Sequence, residues 1–384
     1  MIDTKSFVSL ADWQSPPTNR YTFGRMRQVV PTARVAAGSA PLRLTGGDPL
    51  DLDLPVGTET LRSVLDRTYT DGFMVLHNGT VRAELYPGDL EPGRTHMLFS
   101  VSKSIVGTVA ANLIATGLLD PEAALTEYIP EIANSGYAGA TVRHILDMRS
   151  GIRFSEEYLE PGAEVRFLDQ AVGWIPRVDD WVPPSLYQFL PMLTADRPHG
   201  GPFEYRSCET DVLGWVCERA AADRMPALLS RLVWSKFAAD DMDAGVDRAG
   251  AVFADGGLAA TLRDVARFGE ILRRGGRIGA EQVVPPHWID DSLRGAPDSF
   301  EAYSQSPTGT PFPGGMYRNQ FWIPHPDRRV LLCLGIYGQS IYIDIDRGVV
   351  VVKLSSCPTP VDDELDNAAF AATEAVAAAL ASTV

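Results

Sequence analysis

Lysine is scarce in this sequence. Of 34 basic residues in a chain of 384, only Lys5, Lys103, Lys236 and Lys353 are lysines; the rest are arginines. A basic surface is lacking as well. Asp and Glu number 49, and the formal net charge of −15 excludes a general nucleic-acid binder, because phosphate contacts need an electropositive face. Cysteine is limited to Cys208, Cys217, Cys333 and Cys357, with no Cys-x-x-Cys pair and no zinc-type Cys/His spacing. These read as reduced, mostly buried thiols. The histidines form no His-Glu-x-x-His, and no glycine-rich loop ends in Gly-Lys-Ser/Thr, so no metal and no cofactor are expected.

Long apolar runs are also missing. The most apolar-leaning stretch, 105 to 119, carries Thr108, Asn112 and Thr116 and falls short of the roughly 20 residues that a membrane span needs. Residues 1 to 17 hold no apolar segment behind a basic start, so no secretory leader and no membrane partner are expected, and the expected compartment is the cytoplasm. What is present is an ordinary globular composition, 45% hydrophobic and 22% charged, which excludes disorder as the main state. A chain of this length buries roughly 75% of its unfolded surface, enough to support a deep pocket.

Residues 1 to 60 are rich in Pro and Gly and read as an extended segment wrapped over the body. The run from Gly72 to Tyr86 is two β-like stretches around Asn78-Gly79, a dipeptide suited to a tight hairpin. From Ser102 to Leu119, Ile105, Val106, Val109, Ala110, Leu113 and Ile114 recur at helical spacing. A short helix from Thr141, capped by that residue, ends near Gly151. Residues 153 to 204 show little regular pattern and read as a substrate-covering region. Helices follow at Thr210 to Ala222 and Thr261 to Arg273, then three β-rich runs, 329 to 336, 340 to 344 and 348 to 355, and a closing helix at Asp363 to Ala381. The expected fold is α/β of the α+β kind, an antiparallel sheet flanked by helices with an inserted all-helical region. The expected domains are 1–98 plus 236–384 for the sheet and 99–235 for the helical part.

The chemistry-bearing segment is Phe99-Ser-Val-Ser-Lys-Ser104, a Ser-x-x-Lys at the start of the long helix. Positions i and i+3 share a helix face, so the Ser100 hydroxyl and the Lys103 amine come within reach of each other. The helix N-terminus adds backbone N–H donors suited to an oxyanion. A serine needs a base to accept its proton. Lys103 serves only if neutral, which requires its pKa to fall from about 10.4 toward 7. Read locally, Ser100 is equally well an N-cap and Lys103 a solvated first-turn side chain.

The segments Phe99 to Gly107, Thr141 to Gly151 and Ala254 to Phe268 resemble the landmarks of the serine β-lactamase-like superfamily, especially its class C and carboxylesterase branch. Trp13 to Arg20, Met97 to Ser104, Glu127 to Glu131 and Phe203 to Ser207 are similar to the 6-aminohexanoate-dimer hydrolases, the nylon-oligomer amidases of that branch. The resemblance implies Ser100 as acylated nucleophile, Lys103 as general base and Tyr205 as the tyrosine of a Tyr-x-Asn motif that protonates the leaving group. Ser207 stands where that motif has Asn. The third motif, Lys-Thr-Gly, falls on Ile336-Tyr337-Gly338 without a lysine, which argues against efficient β-lactam hydrolysis. The Ile336 N–H would complete an oxyanion hole with that of Ser100. By the same resemblance the pocket uses Glu156, Tyr158, Asp169, Trp174, Asp255 and Trp322. Asp255 stands where the resemblance would place Asn or His. Aromatic walls suit a polymethylene chain and carboxylates a terminal ammonium, so the implied partner is a small amide or ester. The resemblance leaves room for a homodimer. A carboxylesterase with little amidase activity and a non-catalytic ligand-binding relative are the competing expectations.

Overall fold

The computed structural model describes residues 8–382. Lys5 and the first seven residues of the expected wrapping segment and leader-free start lie outside the described residues. The strands used below are β1 (Thr32–Val35), β2 (Thr45–Gly46), β3 (Thr70–His77), β4 (Thr80–Leu85), β5 (Thr95–Met97), β6 (Met242–Gly245), β7 (Leu258–Thr261), β8 (Met316–Arg318), β9 (Phe321–Ile323), β10 (Val330–Gly335), β11 (Gln339–Asp344) and β12 (Val349–Ser355). The helices are α1 (Val101–Ala115), α2 (Glu164–Val172), α3 (Ser207–Ala221), α4 (Leu262–Arg273) and α5 (Asp363–Ala381).

Asn78 and Gly79 both take positive φ, 49° and 81°, the geometry that a two-residue hairpin needs to match strand twist, and β3 pairs antiparallel with β4 across it. β3 then pairs with β12 from the far end of the chain. The resulting eight-stranded sheet runs β8-β9-β10-β11-β12-β3-β4-β2, antiparallel except where the short β2 lies parallel to β4. Its central strands are buried on both faces, which explains the unbroken Val349 to Val352 run. Successive residues alternate between faces. On one side α4 sits so close that a Cβ on Gly269 would lie 2.6 Å from Val350 and 3.1 Å from Ile341. On the other, Phe370 of α5 meets the Tyr342 ring at 6.3 Å.

A second sheet, β1-β6-β7-β5, ties the N-terminal chain into the body by backbone pairing rather than leaving it as an extended wrap. β5 delivers the chain into α1, which is buried on nearly every face and packs along α3. Polar residues within α1 are satisfied locally. Thr108 donates to the Ser104 carbonyl at 2.9 Å, and Ser104 donates to the Gln320 carbonyl at 2.6 Å.

The region 153 to 204 is more regular than its composition suggests. It contains α2, whose Val165, Leu168, Ala171 and Val172 turn inward. Nine residues bracketed by Pro161-Gly162 and Gly173 are too few for helical periodicity to stand out in the sequence. All four cysteines are free and buried. No helix among the described residues is long and apolar enough to cross a membrane.

Candidate active site

Ser100 sits at the turn from β5 into α1. The residue before it, Phe99, is held at φ 46°, a left-handed conformation unfavourable for a large side chain and kept here by packing against Phe23 and Tyr337. The Ser100 side chain makes no capping hydrogen bond. It accepts instead from Lys103 Nζ at 2.8 Å. Lys103 is 1% exposed, so it is not a solvated first-turn lysine. Its ammonium also donates to Ser207 Oγ at 3.1 Å and to the Asp255 carbonyl at 2.9 Å.

The expected depression of the Lys103 pKa is not what the surroundings produce. Burial pushes it down, but the Tyr205 phenol, Asp255 and Glu156 attract the charged form and the net shift is upward. The acidic groups around the amine outweigh the desolvation, so Lys103 rests as an ammonium.

Tyr205 precedes α3 and brings its ring to 5.0 Å from Lys103 Nζ. Burial raises its pKa against the opposing pull of Lys103, which keeps the phenol protonated. Ser207, the first residue of α3, bridges Lys103 to Glu156: its Oγ donates to Glu156 Oε2 at 3.1 Å and its backbone N–H to Glu156 Oε1. Glu156 also accepts from Tyr158 OH at 2.5 Å.

These groups border a cavity of about 250 Å³ lined by Ser100, Tyr158, Asp169, Trp174, Asp255 and Ile336. Of the expected pocket residues, two are not brought to that lining: Glu156, which Ser207 and Tyr158 hold by hydrogen bonds, and Trp322. Trp322 stacks on Tyr205 instead, within a cluster with Phe203 and Tyr317. Two carboxyls face the cavity with raised pKa values. Burial lifts Asp169 to about 7 against the pull of Arg166 at 3.1 Å, and burial lifts Asp255 to about 6 against the pull of Lys103. Asp255 Oδ1 is buried without a hydrogen-bond partner. Behind it, Asp211 of α3 accepts from the Ala254 and Asp255 backbone N–H groups at 2.9 and 3.3 Å.

The opposite wall is the turn Ile336–Gly338 at the end of β10. A Cβ on Gly335 would lie 2.5 Å from the Leu98 carbonyl and 3.1 Å from Ser100 N, so glycine there is what lets this strand end approach the Ser100 turn. Tyr337 is held at φ 63°. Gln339 Nε2 donates to the carbonyls of Ile336 at 3.2 Å, Tyr337 at 3.1 Å and Ser355 at 2.7 Å, clamping the turn to β12.

This assembly can be compared with known proteins. Residues 65–375 match the β-lactamase family. A 6-aminohexanoate-dimer hydrolase from Paenarthrobacter ureafaciens is 39% identical over 355 residues, 92% of this chain and 89% of that protein. The chain belongs to the β-lactamase family.

Within that family its fold is similar to a candidate 6-aminohexanoate-dimer hydrolase structure from Bacillus anthracis, with a TM-score of 0.86 and 25% identity over 96% of each chain. A family VIII carboxylesterase shares the fold more distantly, at TM-score 0.59 and 16% identity over 85% of this chain and 99% of that one. The protein is thus a β-lactamase-family hydrolase. The lysine closest to its third-motif turn, Lys353, approaches from the neighbouring strand but donates to the Thr68 carbonyl at 2.9 Å and to Ser355. It gives the cavity no cation.

Several lining residues had no signal in the sequence. Leu10 and Ala11 reach the cavity from the N-terminal segment, 89 or more positions from Ser100, whereas Gln14 and Ser15 lie in the Trp13 to Arg20 segment that carries the resemblance. Arg166 was within reach of a sequence argument, being three residues before Asp169 on one helix face. Gln339 and Asp211 act through backbone groups, and nothing in residue type alone marks such a role.

Proposed function

We propose that this hydrolase cleaves linear amides carrying a terminal amine, with 6-aminohexanoate oligomers as the representative class and short carboxylesters as secondary substrates. The observation that carries the reading is the 2.8 Å contact between Lys103 Nζ and Ser100 Oγ at the edge of a cavity that the carboxyl-bearing Asp169 and Asp255 also line. Ser100 attacks the carbonyl, and its proton passes to Lys103. The backbone N–H groups of Ser100 and Ile336 take the oxyanion. Tyr205 delivers a proton to the departing amine and regains one from Lys103, and water then releases the acyl group. Trp174, Phe253 and Ile336 supply apolar walls for a polymethylene chain, while the carboxylates suit its ammonium end. The identity to a hydrolase named for the 6-aminohexanoate dimer supports the substrate class.

The acyl-enzyme is tested by mass spectrometry after a fluorophosphonate or a p-nitrophenyl ester, with the label expected on Ser100. Ser100→Ala and Lys103→Ala are expected to lose at least about 10³-fold in turnover of the linear dimer. Full activity in either variant overturns the mechanism. A carboxylesterase reading is favoured by the shared fold with a family VIII carboxylesterase, and matched ester and amide substrates separate the two.

A further inference from the structure

The three acceptors around Lys103 Nζ, Ser100 Oγ, Asp255 O and Ser207 Oγ, use all three N–H donors of a primary ammonium. Tyr205, Asp255 and Glu156 beside the amine favour that charged form, and a charged lysine cannot take the Ser100 proton until it has lost one of its own. The route out is narrow. Ser100 is the group awaiting activation. The Asp255 carbonyl accepts a hydrogen bond but not a proton. Tyr205 keeps its phenolic hydrogen. Ser207 remains, and its own hydroxyl hydrogen points at Glu156 Oε2, 3.1 Å away. Glu156 cannot easily swing aside, because the Ser207 backbone N–H and Tyr158 OH hold its two oxygens.

We propose that Ser207 and Glu156 form a proton relay that discharges Lys103 before each acylation. The Nζ–H bond breaks as a new Ser207 O–H bond forms, and the old Ser207 O–H bond breaks as a Glu156 O–H bond forms. A neutral amine, an intact serine and a neutral carboxyl result. One positive and one negative charge cancel, so the pocket's net charge is unchanged, and a water-poor surrounding lowers the cost of replacing the ion pair by two neutral groups. Lys103 then accepts the Ser100 proton and passes it through Tyr205 to the departing group; neutral again, it takes the Glu156 proton back through Ser207. The Asn of the family motif has no hydroxyl to pass a proton in this way; the serine at 207 does.

The relay rests on Lys103 acting as base. The other ionisable groups facing it are Tyr205, Asp255 and, behind Asp255, Asp211 around the amine, and Tyr158, Asp169 with its partner Arg166, and Asp255 around Glu156. Asp255 is the competing acceptor, since its carboxylate also lies within reach of the Ser207 hydroxyl.

The test is the pH dependence of kcat for p-nitrophenyl acetate between pH 6 and 9, with Ser100→Ala as background, in the wild type, Ser207→Ala, Glu156→Gln and Asp255→Asn. With the relay cut, neutral Lys103 forms only by loss of a proton to solvent. Ser207→Ala should therefore fall at least about tenfold at pH 7 and climb steeply with pH, so that the deficit shrinks toward pH 9, while the wild type stays nearly flat; Glu156→Gln should show the same loss and climb, with its rise beginning at lower pH because the substitution also removes a charge that holds Lys103 as an ammonium. Melting temperatures identify a variant that fails to fold, and the other relay variant then decides. Profiles parallel to the wild type, or an Asp255→Asn profile that reproduces Ser207→Ala while Glu156→Gln does not, overturn the relay. Ser100 labelling in the wild type separates the failures: no label removes the nucleophile itself, whereas a labelled Ser100 with parallel profiles removes the relay alone.

Discussion

The phenol ring of Tyr205 lies stacked on the indole of Trp322, centroids 5.3 Å apart and planes inclined by 20°. The indole thus fixes the plane in which the phenol presents its OH beside Lys103. Trp322→Ala should release that constraint. Amide turnover is expected to fall about tenfold and ester turnover clearly less, since an amine leaving group needs the proton more than a phenolate does. A stability loss of about 3 kcal/mol from the vacated volume is expected alongside. Parallel amide and ester assays with a denaturant titration check both.

Asp169 is paired with Arg166 and raised to about 7 by burial. It binds an ammonium only when ionised, so KM for the linear dimer should fall as pH rises from 6 to 8. Asp169→Asn should raise KM about tenfold or more at pH 8 with kcat less affected. An acyl ester without an amine should show neither effect. Steady-state kinetics on the two substrates decide the matter.

Asp255 has a folded pKa of about 6, above the ordinary Asp value of about 3.9. The folded state therefore holds the proton more tightly than the unfolded chain, and this carboxyl subtracts stability progressively as pH rises from 4 through 6. Asp255→Asn removes the subtraction. It should stabilise the protein by about 1–3 kcal/mol at pH 8 and by little at pH 4, as read by denaturation at the two pH values.

Gly335 is required by close approach, not by its backbone angles. A methyl group there meets the Leu98 carbonyl at 2.5 Å, a backbone atom that cannot rotate away. Gly335→Ala should cost about 1–3 kcal/mol and displace the Ile336 turn from Ser100. Hydrolysis and fluorophosphonate labelling are expected to fall further than the stability loss explains, which thermal melts and labelling rates on the folded variant would reveal.

The Ser-x-x-Lys segment was legible because its geometry is local: Ser100 and Lys103 are three residues apart and one helix start serves both. The hairpin at Asn78-Gly79 and the closing helix from Asp363 were legible for the same reason. The helix α2 was not, because Pro and Gly on either side leave only nine residues to carry a period. The partnership of Trp322 with Tyr205 was not legible either, since 117 positions separate them and the pairing depends on β9 facing the turn before α3.

What the sequence by itself determined is the inventory: one lysine in a Ser-x-x-Lys, no lysine at the third-motif turn, an acidic balance, and the turns and helix starts set by neighbouring residues. These follow from chemistry within a few bonds or one helical turn. The charge state of Lys103 was decided only by the tertiary structure. Burial alone would have lowered its pKa, and the opposite outcome comes from Glu156, Tyr205 and Asp255, brought from three separate segments to within electrostatic reach of one amine. Through-space charge depends on distance, and that distance exists only after folding.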